Sequence, residues 1–525
     1  LIVTMHHIVT DGWSMGVLVR EIAALYAAER MGTRATLPEL EIQYPDYAAW
    51  QRQWLQGEEL ERQLSYWRRV LDRAPAQLAL PFDRPRPALQ TLNGATEAVV
   101  ISAELASRLR QVARQFDTTL YVVVMAAYKV VLAKWAQQKD LCVGMPVAGR
   151  NHAEVEGLIG FFVNTLVIRT RLHGNPSLRE LVEQVKQQIL GAQGHQDVPF
   201  EAIVEELNTP RNLSFSPLYQ VALSLTGGEG TARKLTLGGL EIEPMPIELV
   251  AARLDLTMML VDHGDAVDGM LEYNTDLFDG ATIRRFLQHF QRVLQSLSND
   301  LEQHFDALAL YEEAELSEHL ARDRAVDAVL PLTSMQRDFC LDSLRDPTTL
   351  RNSIGFVMPL NRVDPQRLQQ AIQQVANNNA MLRSRMVGCD LPGADSLYQL
   401  ILNTADIELE QQRLQVADLT PEQLQERLYD LALVPWEVED KPLIRYFLVH
   451  ADTNAQYLVI AAHHSVYDGV SKPIHLRKLA LAYAGVDDAA TRDADDLHRI
   501  RQWIQHNNQC MDQPTTLEYW SRELE

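Results

Sequence analysis

The sequence predicts a mixed α/β fold arranged in more than one domain. Short apolar runs typical of buried strands alternate with longer segments whose apolar residues recur at helical spacing. The hydrophobic content of 46% and the charged content of 22% are ordinary for folded protein. With 525 residues, the chain is long enough for about three compact units.

Net charge and cysteine usage limit the expected partners. The 48 basic and 70 acidic residues give a net charge of −22, which argues against a nucleic-acid surface because phosphate binding needs clustered lysine and arginine. No apolar run is long enough for a transmembrane helix, and the N-terminus does not resemble a signal peptide. The cysteines are far apart and form no CxxC pair, so we expect neither a disulfide framework nor a zinc site; they are Cys142, Cys340, Cys389 and Cys510. These features predict a cytoplasmic protein without membrane or nucleic-acid partners.

The chain repeats itself once, at long range. Near the start stands "MHHIVTDGWSMG", and near the end stands "AHHSVYDGVSKP". Positions that match 457 residues apart are His6 with His463, Asp11 with Asp468, Gly12 with Gly469 and Tyr26 with Tyr483. Positions that match 453 residues apart are Trp50 with Trp503 and Tyr66 with Tyr519. So long a period excludes a solenoid and predicts two homologous domains in tandem, with the chain entering the first late and leaving the second early.

Local patterns predict the first elements in order. The run "LIVTM" predicts a buried strand that ends at His6 and His7. A turn at Asp11-Gly12 then precedes a helix, whose apolar positions recur at helical spacing at Val17, Leu18, Ile22 and Leu25. Residues 57–72 predict a further helix, and the proline-rich "ALPFDRPRPALQ" predicts a linker.

Strands and helices alternate after this linker. The predicted strands lie at 97–102, 140–149, 161–172, 218–225, 254–262 and 266–274, and the helices at 103–117, 120–136, 177–193 and 283–297. A polar, acidic stretch over 299–327 predicts an interdomain linker. A second α/β unit opens at Leu330 and includes the strand "YLVIAA" before the second histidine pair.

The His-His-x-x-x-Asp-Gly pattern suggests proton chemistry. Neighbouring strand residues point to opposite faces, so one histidine of each pair is expected to be active and the other structural. An imidazole with an ordinary pKa near 6.5 can act as a general base or donate a proton to developing charge. Asp11 could orient the histidine or pair with a distant arginine, and Gly12 permits a positive φ or a close backbone approach. No further ligand pattern predicts a metal. The alternative is a histidine pair satisfied in the core, which two equivalent copies make less attractive.

The motifs of this sequence resemble those of a known family, the condensation domains of nonribosomal peptide synthetases, which are related to chloramphenicol acetyltransferase. "HHIVTDGWS" from His6 resembles the HHxxxDG signature of that family. Four other segments resemble its motifs in the same order, namely "YPDYAAWQRQWL" from Tyr44, "IGFFVNTLVIR" from Ile159, "VPFEAIVEELNTPRNLSFSPLYQV" from Val198 and "LPLTSMQRDF" from Leu330.

The resemblance implies chloramphenicol acetyltransferase-like lobes in a V-shaped pair. Residues 1–75 would be the end of the N-terminal lobe of copy 1, and 76–300 its C-terminal lobe. Residues 301–328 would be the linker, and 329–525 the N-terminal lobe of copy 2. The reaction implied is amide formation, in which the α-amine of an acceptor attacks the thioester carbonyl of a donor. Both substrates would be carried on the phosphopantetheine arms of partner carrier domains, and no cofactor would bind directly.

The resemblance also assigns roles to residues. His7 and His464 inherit the catalytic role, as base or as stabiliser of the tetrahedral intermediate, with His6 and His463 beside them. Asp11 and Asp468 inherit an ion-pair role that holds the loop, and Gly12 and Gly469 lie where bulk would crowd the substrate. Trp13, Ser14 and Asn164 are candidates for the substrate tunnel. For Asn164, satisfying a buried strand edge is an equal alternative.

The second copy departs from the family pattern. Trp13 and Gly16 are replaced by Val470 and Pro473. Its segment "NNNAMLRSRM" keeps Leu382 and Arg383 but has asparagine in place of the Arg-His-Glu of the family, so Arg383 is the candidate partner of Asp468. For the first copy, that segment would lie before Leu1. Copy 2 is therefore a condensing domain, an epimerase-type relative, or a non-catalytic platform that recruits a tailoring enzyme.

Two further patterns favour structural roles. The run "TGGEG" from Thr226 lacks the context of a phosphate loop and predicts a solvent loop. The aromatic pairs stand at helical or adjacent spacing and are expected to anchor the core; they are Trp50 with Trp54 and Tyr66 with Trp67.

Overall fold

The structure is a computed structural model that describes residues 3–209, 212–227, 235–237, 240–242, 251–321, 324–416, 419–439, 441–451, 455–486 and 496–511. The chain divides into two compact units, Leu1–Leu310 and Tyr311–Glu525. The boundary between them falls within the acidic stretch predicted to be a linker.

The first unit alternates helices and strands. Its helices are α1 (Gly12–Met31), α2 (Tyr44–Trp54), α3 (Gly57–Leu71), α4 (Ala103–Gln115), α5 (Leu120–Ala136), α6 (Ala153–Glu156), α7 (Leu178–Gln193), α8 (Phe200–Glu206) and α9 (Gly280–Asn299). Its strands are β1 (Gly94–Ile101), β2 (Asp140–Val147), β3 (Asn164–Arg171), β4 (Val221–Gly227), β5 (Leu235–Leu237), β6 (Leu240–Ile242), β7 (Leu256–Asp262) and β8 (Val267–Asn274).

A six-stranded mixed sheet organises this unit. The strand order is β1-β8-β7-β4-β2-β3, in which β2–β4 and β4–β7 pair in parallel and the other neighbours pair antiparallel. β5 and β6 form a separate two-stranded ribbon. The mixed α/β class predicted from the sequence is confirmed.

Helix α5 lies at the centre of the core. Its sequence "LYVVVMAAYKVVLAKWA" is apolar on every face, and all but two of its residues are buried, as expected for a helix without a solvent side. Among the described residues, no single helix is long and apolar enough to cross a membrane. Only α4 and α5 together pass that test, and the pair is bent by 104°.

The predictions fail at the N-terminus and at one aromatic pair. Residues 3–5 form no strand, because no strand of the described first unit pairs with them and an unpaired strand is not stable. Trp67 is fully buried as predicted, but Trp50 and Trp54 stack on each other at 5.2 Å and remain 39% and 38% exposed.

The second unit has two small sheets. Its helices are α10 (Glu313–Ala321), α11 (Ser334–Arg345), α12 (Pro365–Asn377), α13 (Pro421–Ala432), α14 (Ser471–Ala484) and α15 (Asp496–Met511). Its strands are β9 (Val326–Pro331), β10 (Ser353–Leu360), β11 (Ser384–Gly388), β12 (Leu397–Leu402), β13 (Leu409–Leu414), β14 (Ile444–Ala451) and β15 (Gln456–His463).

The second histidine pair stands where the sequence predicted it. The sheet order β10-β15-β14-β13 buries β15 between two strands, and His463 is its last residue. The other sheet is β11-β12-β9. The predicted linker contains α10, whose Leu316 and Leu320 are buried. The matched Tyr519 and residues 228–230 of the predicted solvent loop lie outside the described residues.

Candidate functional site

In the HHxxxDG loop of the first unit, side chains accept hydrogen bonds from backbone amides a few residues later. Nδ1 of His6 accepts a hydrogen bond from the amide of Ile8 at 3.1 Å and begins a short 3-10 helix over His7–Val9. Asp11 is the N-cap of α1 and accepts from the amide of Ser14 at 2.8 Å. A carboxylate suits this position because the first amides of a helix have no intrahelical acceptor.

A buried ion pair holds this loop. Nη2 of Arg150 lies 3.2 Å from Oδ1 of Asp11, and their side chains are 1% and 3% exposed. The other carboxylate oxygen of Asp11 accepts from the amide of Phe162 at 3.0 Å. Arg150 stacks over the ring of Phe162, with 4.0 Å from the guanidinium carbon to the ring centre, and donates to the carbonyl of Leu158 at 2.8 Å.

The pKa of Asp11 shows that this arrangement favours the charged carboxylate. Burial alone would raise the pKa. Hydrogen bonds from the amides of Ser14 and Phe162 and from the Ser14 hydroxyl, together with the charge of Arg150, outweigh burial and lower it below its ordinary value. Asp11 is therefore ionised at neutral pH. It serves as an anchor, not as a proton donor.

Three of the predicted motifs meet at this anchor. The hydroxyl of Tyr44 donates to the carbonyl of Phe161 at 2.8 Å, and its ring packs edge-on against Phe162. Gly160 passes so close that a Cβ there would lie 2.1 Å from the Tyr44 ring. The segments that begin at His6, Tyr44 and Ile159 thus form one cluster.

His7 is exposed, as are its neighbours His6, Ile8 and Val9. Its Nδ1 lies 2.7 Å from the carbonyl of Thr10. A carbonyl can only accept, so Nδ1 carries the proton and the lone pair of the neutral ring is on Nε2. The ring also packs edge-on against Phe161 at 5.1 Å. His7 therefore presents Nε2 as a proton acceptor on a fixed ring.

The structure gives two of the three tunnel candidates internal roles. Ser14 is fully buried, and its Oγ lies 2.7 Å from Asp11 while accepting from Arg150 and from the amide of Gly160. Asn164 donates to the carbonyls of Gln196 and Val198 and accepts from the amides of Thr165 and Phe200. The strand-edge alternative for Asn164 is thus favoured. Trp13 stays 47% exposed and donates to the carbonyl of Glu156.

The motif glycines are not required by contacts within the protein. Within the described part of the chain, a Cβ on Gly12 or on Gly469 would meet nothing within 4 Å. Gly12 is the first residue of α1, so the positive φ or close backbone approach expected from the sequence is not what it supplies. Crowding of the substrate stays a prediction.

His463 in the second unit is structural. It is fully buried, and Nδ1 accepts from the amide of Ser465 at 3.2 Å, as Nδ1 of His6 accepts from Ile8. The proton is therefore on Nε2, which donates to the hydroxyl oxygen of Ser343 at 3.0 Å. In this tautomer, His463 cannot take a proton from the Ser343 hydroxyl. Burial, with a smaller effect of His464, lowers the pKa of His463 to about 4.

His464 and Asp468 repeat the first copy only in part. His464 is half-buried and stacks on Phe339 at 4.7 Å. Asp468 accepts from the amide and the hydroxyl of Ser471 at 2.8 and 2.6 Å, as Asp11 does from Ser14. Asp468 is nevertheless exposed, whereas Asp11 is buried.

The ion pair predicted between Arg383 and Asp468 was wrong. Arg383 pairs with Asp327 at 2.5 Å and donates to the carbonyl of Leu402. Arg383 immediately precedes β11, and both of its partners belong to the same sheet. Asp327 lies in β9, and Leu402 is the last residue of β12. Among the described residues, no group of three histidine, cysteine, aspartate or glutamate side chains could hold a metal ion.

Sequence reasoning missed Arg150. The residue follows "VAG" at the end of β2, and Gly149 has φ of +65° with the carbonyl of Phe162 only 2.0 Å from where a Cβ would stand. An arginine directly after a glycine that needs this conformation was the available signal. Its distance of 139 residues from Asp11 concealed the pairing.

The first unit is a mixed α/β unit whose HHxxxDG loop opens a helix, as the resemblance to condensation domains implied. The comparisons with known proteins are more specific. The chain belongs to the condensation domain family, whose model matches residues 1–319 and 326–525. The resemblance to condensation domains of nonribosomal peptide synthetases is thereby confirmed.

The similar proteins are much longer than this chain. A linear gramicidin synthase protein of Brevibacillus parabrevis is 40% identical over 380 residues, which are 72% of this chain and 5% of the synthase protein. Malpinin synthetase of Mortierella alpina is 42% identical over 303 residues, 58% of this chain and 4% of the synthetase. Among solved structures, the X-domain from teicoplanin biosynthesis, in complex with OxyB, matches with a TM-score of 0.53 and 30% identity over 59% of this chain and 69% of that chain.

Proposed function

We propose that the first unit takes part in amide-bond formation within a nonribosomal peptide synthetase. The donor is an acyl or peptidyl thioester and the acceptor an aminoacyl thioester, each on the phosphopantetheine arm of a carrier domain. The observation that carries the proposal is His7, an exposed histidine bonded through Nδ1 to Thr10 in a loop anchored by a buried ion pair. The free thiols Cys142, Cys340 and Cys389 support a reducing, cytoplasmic location.

His7 acts as the base in this proposal. As the acceptor amine forms the C–N bond, Nε2 takes the proton that the nitrogen loses. The C–S bond of the donor then breaks, and the proton passes to the leaving thiolate. In the neutral ring, the hydrogen bond from Nδ1 to Thr10 leaves the lone pair on Nε2, which is the atom that takes the proton in this proposal.

The first prediction tests His7 in the full synthetase. His7→Ala should lower the single-turnover rate of condensation from loaded carriers by about 10² to 10⁴-fold, which is the usual contribution of a general acid–base group. His173→Ala, at an exposed histidine outside the motif, is the matched control and should leave the rate unchanged. An unchanged rate for His7→Ala would contradict the proposal.

For the second unit, binding of a partner protein is a second candidate function. Asp468 lacks the burial of Asp11, and a solved X-domain of similar fold is found in complex with OxyB. The family match over 326–525 and the retained His464 favour condensation instead.

The second prediction separates these functions in the full synthetase. If the second unit docks a partner, His464→Ala should leave product formation intact, whereas deletion of the unit should abolish it. If His464→Ala alone abolishes the product while the protein still folds, the second unit condenses and the docking candidate is wrong.

A further inference from the structure

A cavity in the second unit lies between the end of α12 and one face of α14. Its volume is about 200 Å³. On α14, Ser471, Ile474, His475 and Lys478 line it at the spacing of a single helical face. Opposite them lies the chain that follows α12, where the short side chain of Ala380 leaves room. Val375, Leu382 and Val466 make much of the remaining wall apolar.

One cation faces this apolar space. Nζ of the half-buried Lys478 donates to Oδ1 of Asn379 at 2.8 Å, and the Asn379 amide donates in turn to the carbonyl of Val375. Among the described residues, neither this cavity nor the smaller one that shares Lys478 is lined by an aspartate or a glutamate. The charge of Lys478 is therefore not balanced by a carboxylate in the wall, which favours an anion in the cavity.

The neighbouring histidine does not change this balance. The ring nitrogens of His475 lie 2.9 and 3.1 Å from the hydroxyls of Tyr446 and Tyr467. Burial, and to a smaller extent the charge of Lys478, lowers the pKa of His475 to about 4. The ring is neutral at pH 7, and Lys478 remains the cation that lines the cavity.

The other end of the cavity carries the opposite charge. Ser471 donates to the carboxylate of Asp468, and Ser471 and Lys478 are about 10 Å apart along the helix axis at 1.5 Å per residue. A bound anion is repelled at the Asp468 end and attracted at the Lys478 end. Its apolar part would then extend from Lys478 toward Val466.

We propose that this cavity binds a small carboxylic acid with an apolar body. The carboxylate pairs with Lys478, and the body fills the space beside Leu382, Val466 and Ile474. A cavity of about 150 Å³ can hold benzene, so this one suits an aryl-acetic acid or a short fatty acid. The proposal does not depend on His464 or on amide formation.

The test is calorimetric titration of the whole chain with phenylacetate and with its neutral analogue phenylacetamide. We expect saturable binding of phenylacetate at one site with a dissociation constant of about 1 mM or lower. Phenylacetamide should bind at least about tenfold more weakly, since a hydrogen bond to a charged group contributes more than a neutral one. Absence of saturable phenylacetate binding, or equal binding of the two probes, would overturn the proposal.

Variants locate the site. Lys478→Gln should weaken phenylacetate binding at least about tenfold, whereas Arg477→Gln, one residue away on the exposed side of α14, is the matched control and should have no effect. Ile474→Glu places a carboxylate one turn before Lys478 and should weaken binding as much as Lys478→Gln, without loss of the lysine. Equal effects of Lys478→Gln and Arg477→Gln, or undiminished binding by Ile474→Glu, would place the ligand elsewhere and refute the site.

Discussion

Lys129 is a lysine enclosed in the core of the first unit. Its side chain is fully buried on α5, and Nζ donates to the carbonyl of Ile168 and to the hydroxyl of Thr170. Burial lowers the pKa of Lys129 to about 7, against the smaller opposing effect of Cys142. At neutral pH, Lys129 is therefore partly deprotonated in the folded state, whereas it stays protonated in the unfolded chain.

The third prediction follows from this proton. Between about pH 7 and 10.5 the unfolded state binds more protons than the folded state, so the free energy of unfolding should rise with pH by up to about 1.4 kcal/mol per unit from this residue. Below pH 7 the cost of burying the charge is fully present. Lys129→Met removes the cost, so its stability advantage over the natural sequence should be largest at pH 7 and shrink toward pH 10.

Denaturant unfolding of the first unit at several pH values checks this. Lys139→Met, at an exposed lysine, should give a difference that changes much less over the same range. A pH-independent advantage for Lys129→Met would contradict a lowered pKa.

At the scale of elements, the connection between β2 and β3 positions the loop that opens α1. Gly149 and Gly160 let the backbone pass where side chains would collide, at the carbonyl of Phe162 and at the ring of Tyr44. Arg150 stands between them and reaches Asp11. The site in the first unit thus depends on close backbone approach in a segment that is mostly outside helices and strands.

The fourth prediction compares two glycines of this region. Gly160→Ala should destabilise the first unit by about 1 to 3 kcal/mol, because the ring of Tyr44 must move. Gly12→Ala meets open space at the first position of a helix and should be neutral or slightly stabilising. Thermal unfolding gives both values.

The same pair of variants tests the role of Gly12 toward substrate. Loss of condensation activity in a stable Gly12→Ala synthetase would support crowding of the substrate at this position. Full activity would contradict it, and a stable Gly160→Ala would contradict the steric explanation of the loop.

At the scale of the whole molecule, one motif stands in two environments. Asp11 and Asp468 make the same two hydrogen bonds to a serine three residues later. In the first unit the carboxylate is buried against Arg150, and in the second it is exposed. The same aspartate–serine contact is therefore expected to contribute differently to the stability of the two units.

The fifth prediction uses the two copies as controls for each other. Asp11→Ala leaves Arg150 buried and unpaired and should lower the free energy of unfolding of the first unit by about 3 to 5 kcal/mol. Asp468→Ala removes the hydrogen bonds of an exposed carboxylate to Ser471, the first residue of α14, and should lower that of the second unit by about 0.5 to 2 kcal/mol, the range of a helix cap. Denaturant unfolding of each variant measures the two losses, and equal losses would show that burial of Asp11 adds nothing.

The sequence by itself determined the α/β class, the long-range repeat, most of the helices and strands between residues 97 and 297, and the strand before the second histidine pair. These follow from apolar periodicity, caps and turn residues, which act over a few positions, as α5 and β15 illustrate. Only the tertiary structure decided that Arg150 is the partner of Asp11, that Asn164 serves a strand edge, that Trp50 stays exposed, and that residues 3–5 form no strand. Ion pairs, burial and strand pairing depend on which distant segments the fold brings together, and local patterns carry no record of those neighbours.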